Sequence, residues 1–320
     1  MFLGVDGGGT KTAFAIINAQ GDLLASHQEP TCYHVEVGIE GAKAVINRGI
    51  SAVLSKAGKT VDELEYGFLG LPAFGEDSEI DPSLATLPSD ILPQQNYQCD
   101  NDMVNAWAAA FAGEDGINMI AGTGSIAYGM RAGKSARCGG WGELFSDEGS
   151  AYWIGRKGLM LFSRMSDGRD SKGPLYYKLK DTFEITNDLD MSALVLTKWQ
   201  GSRGRIAQIS TLVYEAAVAG DTLAKKIFSD AGEELAEIVE GTRKALQYSK
   251  DEEVKVSFSG GAFSANDFIT KPFANALQEF SSTYRIQQPA FSPVIGAAIY
   301  AAKLSGEALS ASALKRLQGV

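Results

Sequence analysis

Short apolar runs separated by glycine-marked turns open the chain. Residues 2–6, 12–18 and 23–28 read as three strands, the first two joined through Gly7-Gly8-Gly9 and the next pair through Gln20-Gly21-Asp22. Such spacing predicts an antiparallel meander. Helical spacing follows at Ala44, Val45, Ile50, Val53 and Leu54, giving a helix over 41–57 stopped by Gly58. Residues 66–71 form a buried strand ended by Pro72, and 75–93, rich in Asp, Ser and Pro, an irregular loop. Residues 97–99 read as a strand end, and 102–112 as an Ala-rich helix that Asn101 or Asp100 can cap.

After a turn at 113–116 the pattern starts again. Residues 117–121 are a strand, Gly122-Thr123-Gly124-Ser125 a turn, and 126–130 the next strand. Helices are then expected over 148–163, 206–219, 222–248 and 293–303, with a strand at 254–258 running into Ser259-Gly260-Gly261. The helix at 222–248 carries Leu223, Ile227, Ala231, Leu235, Ile238 and Leu246 on one stripe. Two strand–turn–strand units, one opening each half, predict a duplicated α/β architecture with domains over 1–113 and 114–320.

Composition narrows the function classes. The 320 residues are 45% hydrophobic and 21% charged, an ordinary globular composition. Net charge is -10, which argues against a nucleic-acid binder. No apolar run reaches the ~18 residues of a membrane span. The first residues lack a basic region and a cleavage-site pattern, so no signal peptide is expected. Cys32, Cys99 and Cys138 are scattered and odd in number, and read as reduced thiols of a cytoplasmic protein.

Five segments can carry chemistry. Asp6-Gly7-Gly8-Gly9-Thr10-Lys11-Thr12 can form an anion-binding nest whose glycines take positive φ, with Asp6 placed to hold hydrated Mg²⁺; it also reads as a plain hairpin. Gly122-Thr123-Gly124-Ser125 offers a second nest with two hydroxyls, or a second hairpin. Asp102, at a helix start, can accept a proton from an attacking hydroxyl or simply cap the helix. Gly140-Trp141-Gly142, followed by Asp147, can offer a flat face and an acceptor to a sugar; the alternative is a glycine loop with a buried Trp and a capping Asp. Gly260-Gly261 permits close approach to a flat ring, or is a strand-to-helix turn. Walker A fails, because Tyr128 and Val53 stand where its first glycine belongs before Gly133-Lys134-Ser135 and Gly58-Lys59-Thr60. The Rossmann fingerprint fails because a strand follows Gly122-Thr123-Gly124.

In this order the segments resemble the actin/hexokinase/Hsp70-like ATPase superfamily and, within it, the N-acetylglucosamine kinase and BadF/BadG/BcrA/BcrD ATPase group. The resemblance runs from Asp6 to about Ala298 and is most specific in the Asp6–Thr12 turn and in residues 139–154. It implies two actin-like (ribonuclease H-like) domains, each a mixed sheet flanked by helices, with an ATP cleft between them. It implies a cytoplasmic, homodimeric ATP- and Mg²⁺-dependent kinase of an amino sugar, most directly N-acetylglucosamine. By position, Asp6 organises Mg²⁺ through water. Gly8, Gly9, Thr10 and Lys11 form one phosphate loop, and Thr123 and Gly124 the other. Gly260 and Gly261 pack on adenosine, Asp102 is the base, and Gly140, Trp141 and Asp147 contact the sugar. Similar kinases carry Asn and Ser where this chain has Tyr33 and Phe74, both on the sugar side. N-acetylmuramic acid, glucosamine or another hexose is therefore an alternative substrate.

Two other classes compete. A reductase activator of the BadF type would need two Cys per chain to bridge an iron–sulfur cluster in a homodimer, and only Cys138 lies near the expected region. A non-catalytic sugar sensor would not need Asp102.

Overall fold

The computed structural model describes residues 1–281 and 283–319. The chain divides into two units, one made of Met1–Gly116 with Gln288–Val320 and the other of Ile117–Gln287.

In the first unit, β1 (Phe2–Gly7), β2 (Lys11–Ile17) and β3 (Leu23–Pro30) form the expected antiparallel meander. The kinked helix α1 (His34–Ala57) follows, with Gly38 at φ 72° breaking it. β4 (Tyr66–Leu71), the short α2 (Asp81–Ala85), β5 (Tyr97–Asn101) and α3 (Met103–Phe111) complete this stretch. The sheet order is β3-β2-β1-β4-β5, with β4 parallel to β1 and β5 parallel to β4. Leu3, Val5, Phe14 and Ile16 meet Val45, Ile46, Ile50 and Val53 of α1 in one buried cluster.

The second unit repeats this plan. β6 (Gly116–Ala121), β7 (Ser125–Arg131) and β8 (Lys134–Gly139) come first. Then follow the helices α4 (Ala151–Ser166), α5 (Pro174–Thr182), α6 (Asp190–Ser192, continued by a π-helical turn), α7 (Arg203–Val218) and α8 (Thr222–Ala245). β9 (Val254–Ser259), α9 (Asp267–Phe280) and β10 (Tyr284–Gln287) close it. The sheet order, β10-β9-β6-β7-β8, is that of the first unit with each strand replaced by its counterpart. The duplication expected from the two glycine turns is therefore one of topology: in each unit the turn joins the central strand to its neighbour. Ser150 caps α4 by accepting the Trp153 amide, which starts that helix three residues later than the apolar pattern suggests. Asp221 caps α8 by accepting the Leu223 and Ala224 amides.

The division differs from the expected 114–320 domain at its far end. The chain returns to the first unit as α10 (Pro293–Leu304) and α11 (Ala311–Leu317). Tyr300 of α10 packs edge-on against Phe68 and Trp107, with ring centroids 4.9 and 5.3 Å away. The amides of Ala290 and Phe291 bond the Ala109 carbonyl at the end of α3. Two glycines permit this docking. A methyl group on Gly4 would lie 2.5 Å from the Ala298 nitrogen, and one on Gly296 would lie 2.6 Å from the Ala109 Cα. Nothing in the apolar periodicity of α10 says which sheet it covers.

Candidate functional site

The first glycine turn links β1 to β2, and the Gly8 amide closes it on the Lys11 carbonyl at 3.0 Å. None of Gly7, Gly8 and Gly9 takes the left-handed backbone anticipated for them. Glycine is required at position 7 for a different reason: a methyl there would sit 2.7 Å from the Cys32 sulfur and 2.9 Å from Pro72. Gly9 has open space around it, and Thr10 and Lys11 are exposed, so the outer side of the turn is free to meet a ligand.

Asp6, at the end of β1, points at α3. Its Oδ1 accepts the Nδ2 of Asn105 at 2.8 Å, and the same Nδ2 reaches the Val5 carbonyl at 3.0 Å. Burial pushes the Asp6 carboxyl up to about 6, against the pull of Asn105 and Lys11. Asn105 is fully buried and fits because it packs against Gly70 of β4, where a methyl would lie 2.6 Å from its Oδ1. Sequence reasoning missed Asn105. The available signal was a lone amide within the apolar run Met103–Phe111.

Asp102 follows β5. Its amide reaches the Leu71 carbonyl at 3.3 Å, because β5 lies alongside β4. Its carboxylate makes no capping bond to α3. Asn101 does that work instead, accepting the Met103 amide at 3.1 Å while its Nδ2 holds the Phe74 carbonyl at 2.8 Å. The capping alternative for Asp102 therefore fails. Burial first, then the negative charges of Asp6 and Glu76, push Asp102 up to about 7; the amides of Met103 and Asp102 pull it back less.

Of the two aromatics expected on the substrate side, Tyr33 sits in the loop before α1, its ring edge-on to His34 with centroids 5.7 Å apart. Phe74 is half-buried and packs on the core of its own unit. Cys32, between β3 and α1, lies near both carboxylates. Burial foremost, then the charges of Asp102 and Asp6, push its thiol up to about 11. Burial likewise raises Cys99. Neither is a thiolate ready to ligate iron. Cys138 lies on β8, in the other unit.

In the second unit the Gly122 amide closes its turn on the Gly124 carbonyl at 2.9 Å. The first amides of α4 tie the turn down, Ala151 to the Gly122 carbonyl at 2.9 Å and Tyr152 to Thr123 at 3.3 Å. Gly260 takes φ 101° directly beside this turn, where a methyl would lie 2.9 Å from the Gly122 nitrogen, and Gly261 is open. Gly260 is thus a neighbour of the start of the Gly122–Ser125 turn despite their separation in sequence.

Asp147 is placed differently from an open sugar acceptor. It is 1% exposed and adopts φ 64°. Its Oδ2 accepts Nη2 of Arg203 at 2.6 Å, and its Oδ1 accepts the Ser125 amide at 3.3 Å. Nor does it cap α4, a position held by Ser150. Asp147 and Arg203 together back the second turn, since a methyl on Gly124 would lie 2.9 Å from the Asp147 carboxylate. Arg203 gave no signal in the sequence. Removing Arg203, itself 41% exposed, leaves the buried Asp147 carboxylate short of a partner, at a cost of about 1–3 kcal/mol. Arg203→Ala is therefore expected to lower the thermal midpoint measured by calorimetry, and Arg203→Ala/Asp147→Asn to recover part of the loss. Equal midpoints for Arg203→Ala and the parent would show that the pair does not brace the turn.

Trp141 is 68% exposed, which removes the buried-Trp alternative. Gly140 and Gly142 flank it at φ 71° and 94°, and the Arg137 guanidinium lies 5.8 Å from its ring centroid. Among the described residues no three His, Cys, Asp or Glu side chains converge on a metal position. A single hard carboxylate such as Asp6 suits Mg²⁺, which keeps most of its waters and binds through one or two carboxylates plus phosphate oxygens.

The profile of the BadF/BadG/BcrA/BcrD ATPase family matches residues 3–301. An N-acetyl-D-glucosamine kinase of Dictyostelium discoideum is 31% identical over 94% of this chain and 97% of its own length. An N-acetylmuramic acid/N-acetylglucosamine kinase of Clostridium acetobutylicum is 29% identical over 86% of this chain and 89% of its own. Among solved structures, a Chromobacterium violaceum protein assigned as an N-acetylglucosamine kinase superposes with a TM-score of 0.70 at 24% identity, covering 93% of this chain and 97% of that one.

Proposed function

The chain belongs to the BadF/BadG/BcrA/BcrD ATPase family, and from that premise we propose that it is an ATP-dependent kinase transferring a phosphoryl group to a hydroxyl of an amino sugar, N-acetylglucosamine foremost. The observation that carries the reading is Asp102. It is a largely buried carboxylate that makes no side-chain capping bond to α3, pushed up to about 7, in the same unit as the Asp6–Thr12 turn. A base poised near neutral pH suits removal of a hydroxyl proton.

The assigned roles are these. Gly8, Gly9, Thr10 and Lys11 bind nucleotide phosphate, as do Thr123 and Gly124, while Gly260 and Gly261 lie against adenosine. Trp141 and Gly140 offer the sugar a flat face, and Tyr33 and Phe74 read its substituents. Asp147 acts with Arg203 in bracing the second turn. In the transfer step the sugar hydroxyl gives its proton to Asp102 and its oxygen bonds the γ-phosphorus. The bond from that phosphorus to the bridging oxygen breaks, and ADP leaves with the electron pair. Mg²⁺, held by Asp6 through water, would neutralise phosphate charge in that step.

A coupled ADP-release screen over N-acetylglucosamine, N-acetylmuramic acid, glucosamine, N-acetylmannosamine and glucose tests the reading. The highest kcat/KM is expected for N-acetylglucosamine. A leading rate on N-acetylmuramic acid or glucosamine would keep the reaction class and change the substrate. No sugar-dependent ADP release across all five would overturn the proposal.

A further inference from the structure

The segment 30–33 is riveted to the first glycine turn at three points. The Thr12 hydroxyl donates to the Pro30 carbonyl at 2.9 Å. The Cys32 sulfur lies where a methyl on Gly7 would have to go. The third rivet is Thr31. Its hydroxyl donates to the Gly8 carbonyl at 2.8 Å and accepts the Tyr33 amide at 2.9 Å. A hydroxyl has one proton to give and lone pairs to receive, so a single side chain satisfies both loops at once.

That fork connects two places with different tasks. Gly8 belongs to the turn read as the phosphate loop. Tyr33 heads α1, whose first turn is set off from the rest by the break at Gly38 and leaves Val35 67% exposed. The Gly8 amide, which belongs to the preceding peptide 7–8, bonds the Lys11 carbonyl, and Thr31 holds the carbonyl of peptide 8–9, so residue 8 is tied on both of its peptides. A shift of peptide 8–9 on phosphate binding reaches the Tyr33 amide through the Thr31 hydroxyl.

We propose that Thr31 is a positioning residue that couples the nucleotide-phosphate turn to the Tyr33 loop, so that nucleotide bound at one orders the other. The proposal rests on the phosphate-loop part of the reading above, and not on the identity of the sugar. Thr31→Val keeps the shape and removes both bonds; Thr31→Ser keeps both bonds and removes a methyl.

Hydrogen–deuterium exchange of the full chain, with and without Mg²⁺ and AMP-PNP, tests it directly. In the parent protein and in Thr31→Ser, the analogue is expected to slow exchange in peptides spanning 31–38, by about fivefold or more, the lower range of typical coupling. In Thr31→Val that slowing is expected to vanish, while peptides spanning 7–12 are still protected by the analogue. Calorimetric titration with N-acetylglucosamine supplies a second readout. Bound AMP-PNP should raise its affinity in the parent and in Thr31→Ser, and leave it unchanged in Thr31→Val. Slowing at 31–38 that persists in Thr31→Val, or is absent from the parent, would overturn the proposal. Failure of the kinase reading would show separately, as no phosphoryl transfer to any sugar while the exchange pattern holds.

Discussion

Asp102→Asn is expected to lower kcat by about 10³-fold or more, the upper part of what a positioned base contributes, while the affinity for AMP-PNP stays close to that of the parent. The same variant is expected to melt at a higher temperature at pH 8. The folded protein holds the Asp102 proton more tightly than the unfolded chain does, since the carboxyl is raised from 3.8 to about 7. Carrying it ionised therefore costs stability. That cost is absent below about pH 4, grows through pH 4–7 and is complete above pH 7; at about 1.4 kcal/mol per pKa unit it amounts to a few kcal/mol. The amide that replaces the carboxylate has no charge to bury, so the variant's advantage should shrink as pH falls toward 4. In the parent, kcat/KM should rise with pH up to about 7 and then level, as the base loses its proton. Turnover within tenfold of the parent in Asp102→Asn would remove Asp102 from the chemistry.

Gly296→Val is expected to have the largest effect on folding. The added side chain would meet the Ala109 Cα at 2.6 Å and the Asn105 carbonyl oxygen at 2.7 Å, and backbone atoms on a packed helix have no rotamer to escape into. Overpacking ordinarily costs about 1–3 kcal/mol, and this site lies at or beyond the top of that range. In a chain of this size the midpoint should fall by about 5 °C or more, or soluble protein should be lost. Gly4→Val should behave alike, because α10 meets β1 there through its own backbone. Midpoints unchanged in both variants would mean that α10 is not clamped against β1 and α3 as described.

These two residues show where reading the chain ends. The strand–turn–strand units were legible, because strands alternate, turns carry glycine, and both signals are local. The position of Asp102 after β5 was legible for the same reason. What was not legible is how its carboxylate is used. Asp100, Asn101 and Asp102 can each cap a helix, and only the approach of Phe74 and Met103 selects Asn101 for that task. Asp147 misleads in the opposite sense. Its neighbours in sequence, Gly142 and Gly149, suggest an open loop, while its partner Arg203 comes from a helix far along the chain.

The amino-acid sequence by itself determined the α/β class, the duplicated plan, the two glycine turns and the family, because each is written in local periodicity or in ordered short motifs. Tertiary structure alone decided that residues 288–320 return to the first unit, that Gly7 is glycine to make room for Cys32 rather than to turn the chain, and that Asn105 and Thr31 stand behind Asp6 and Tyr33. The physical reason is the same in each case. Burial, close approach and the choice among several possible hydrogen-bond partners depend on atoms that are distant in the chain, and no local pattern specifies which of them will meet.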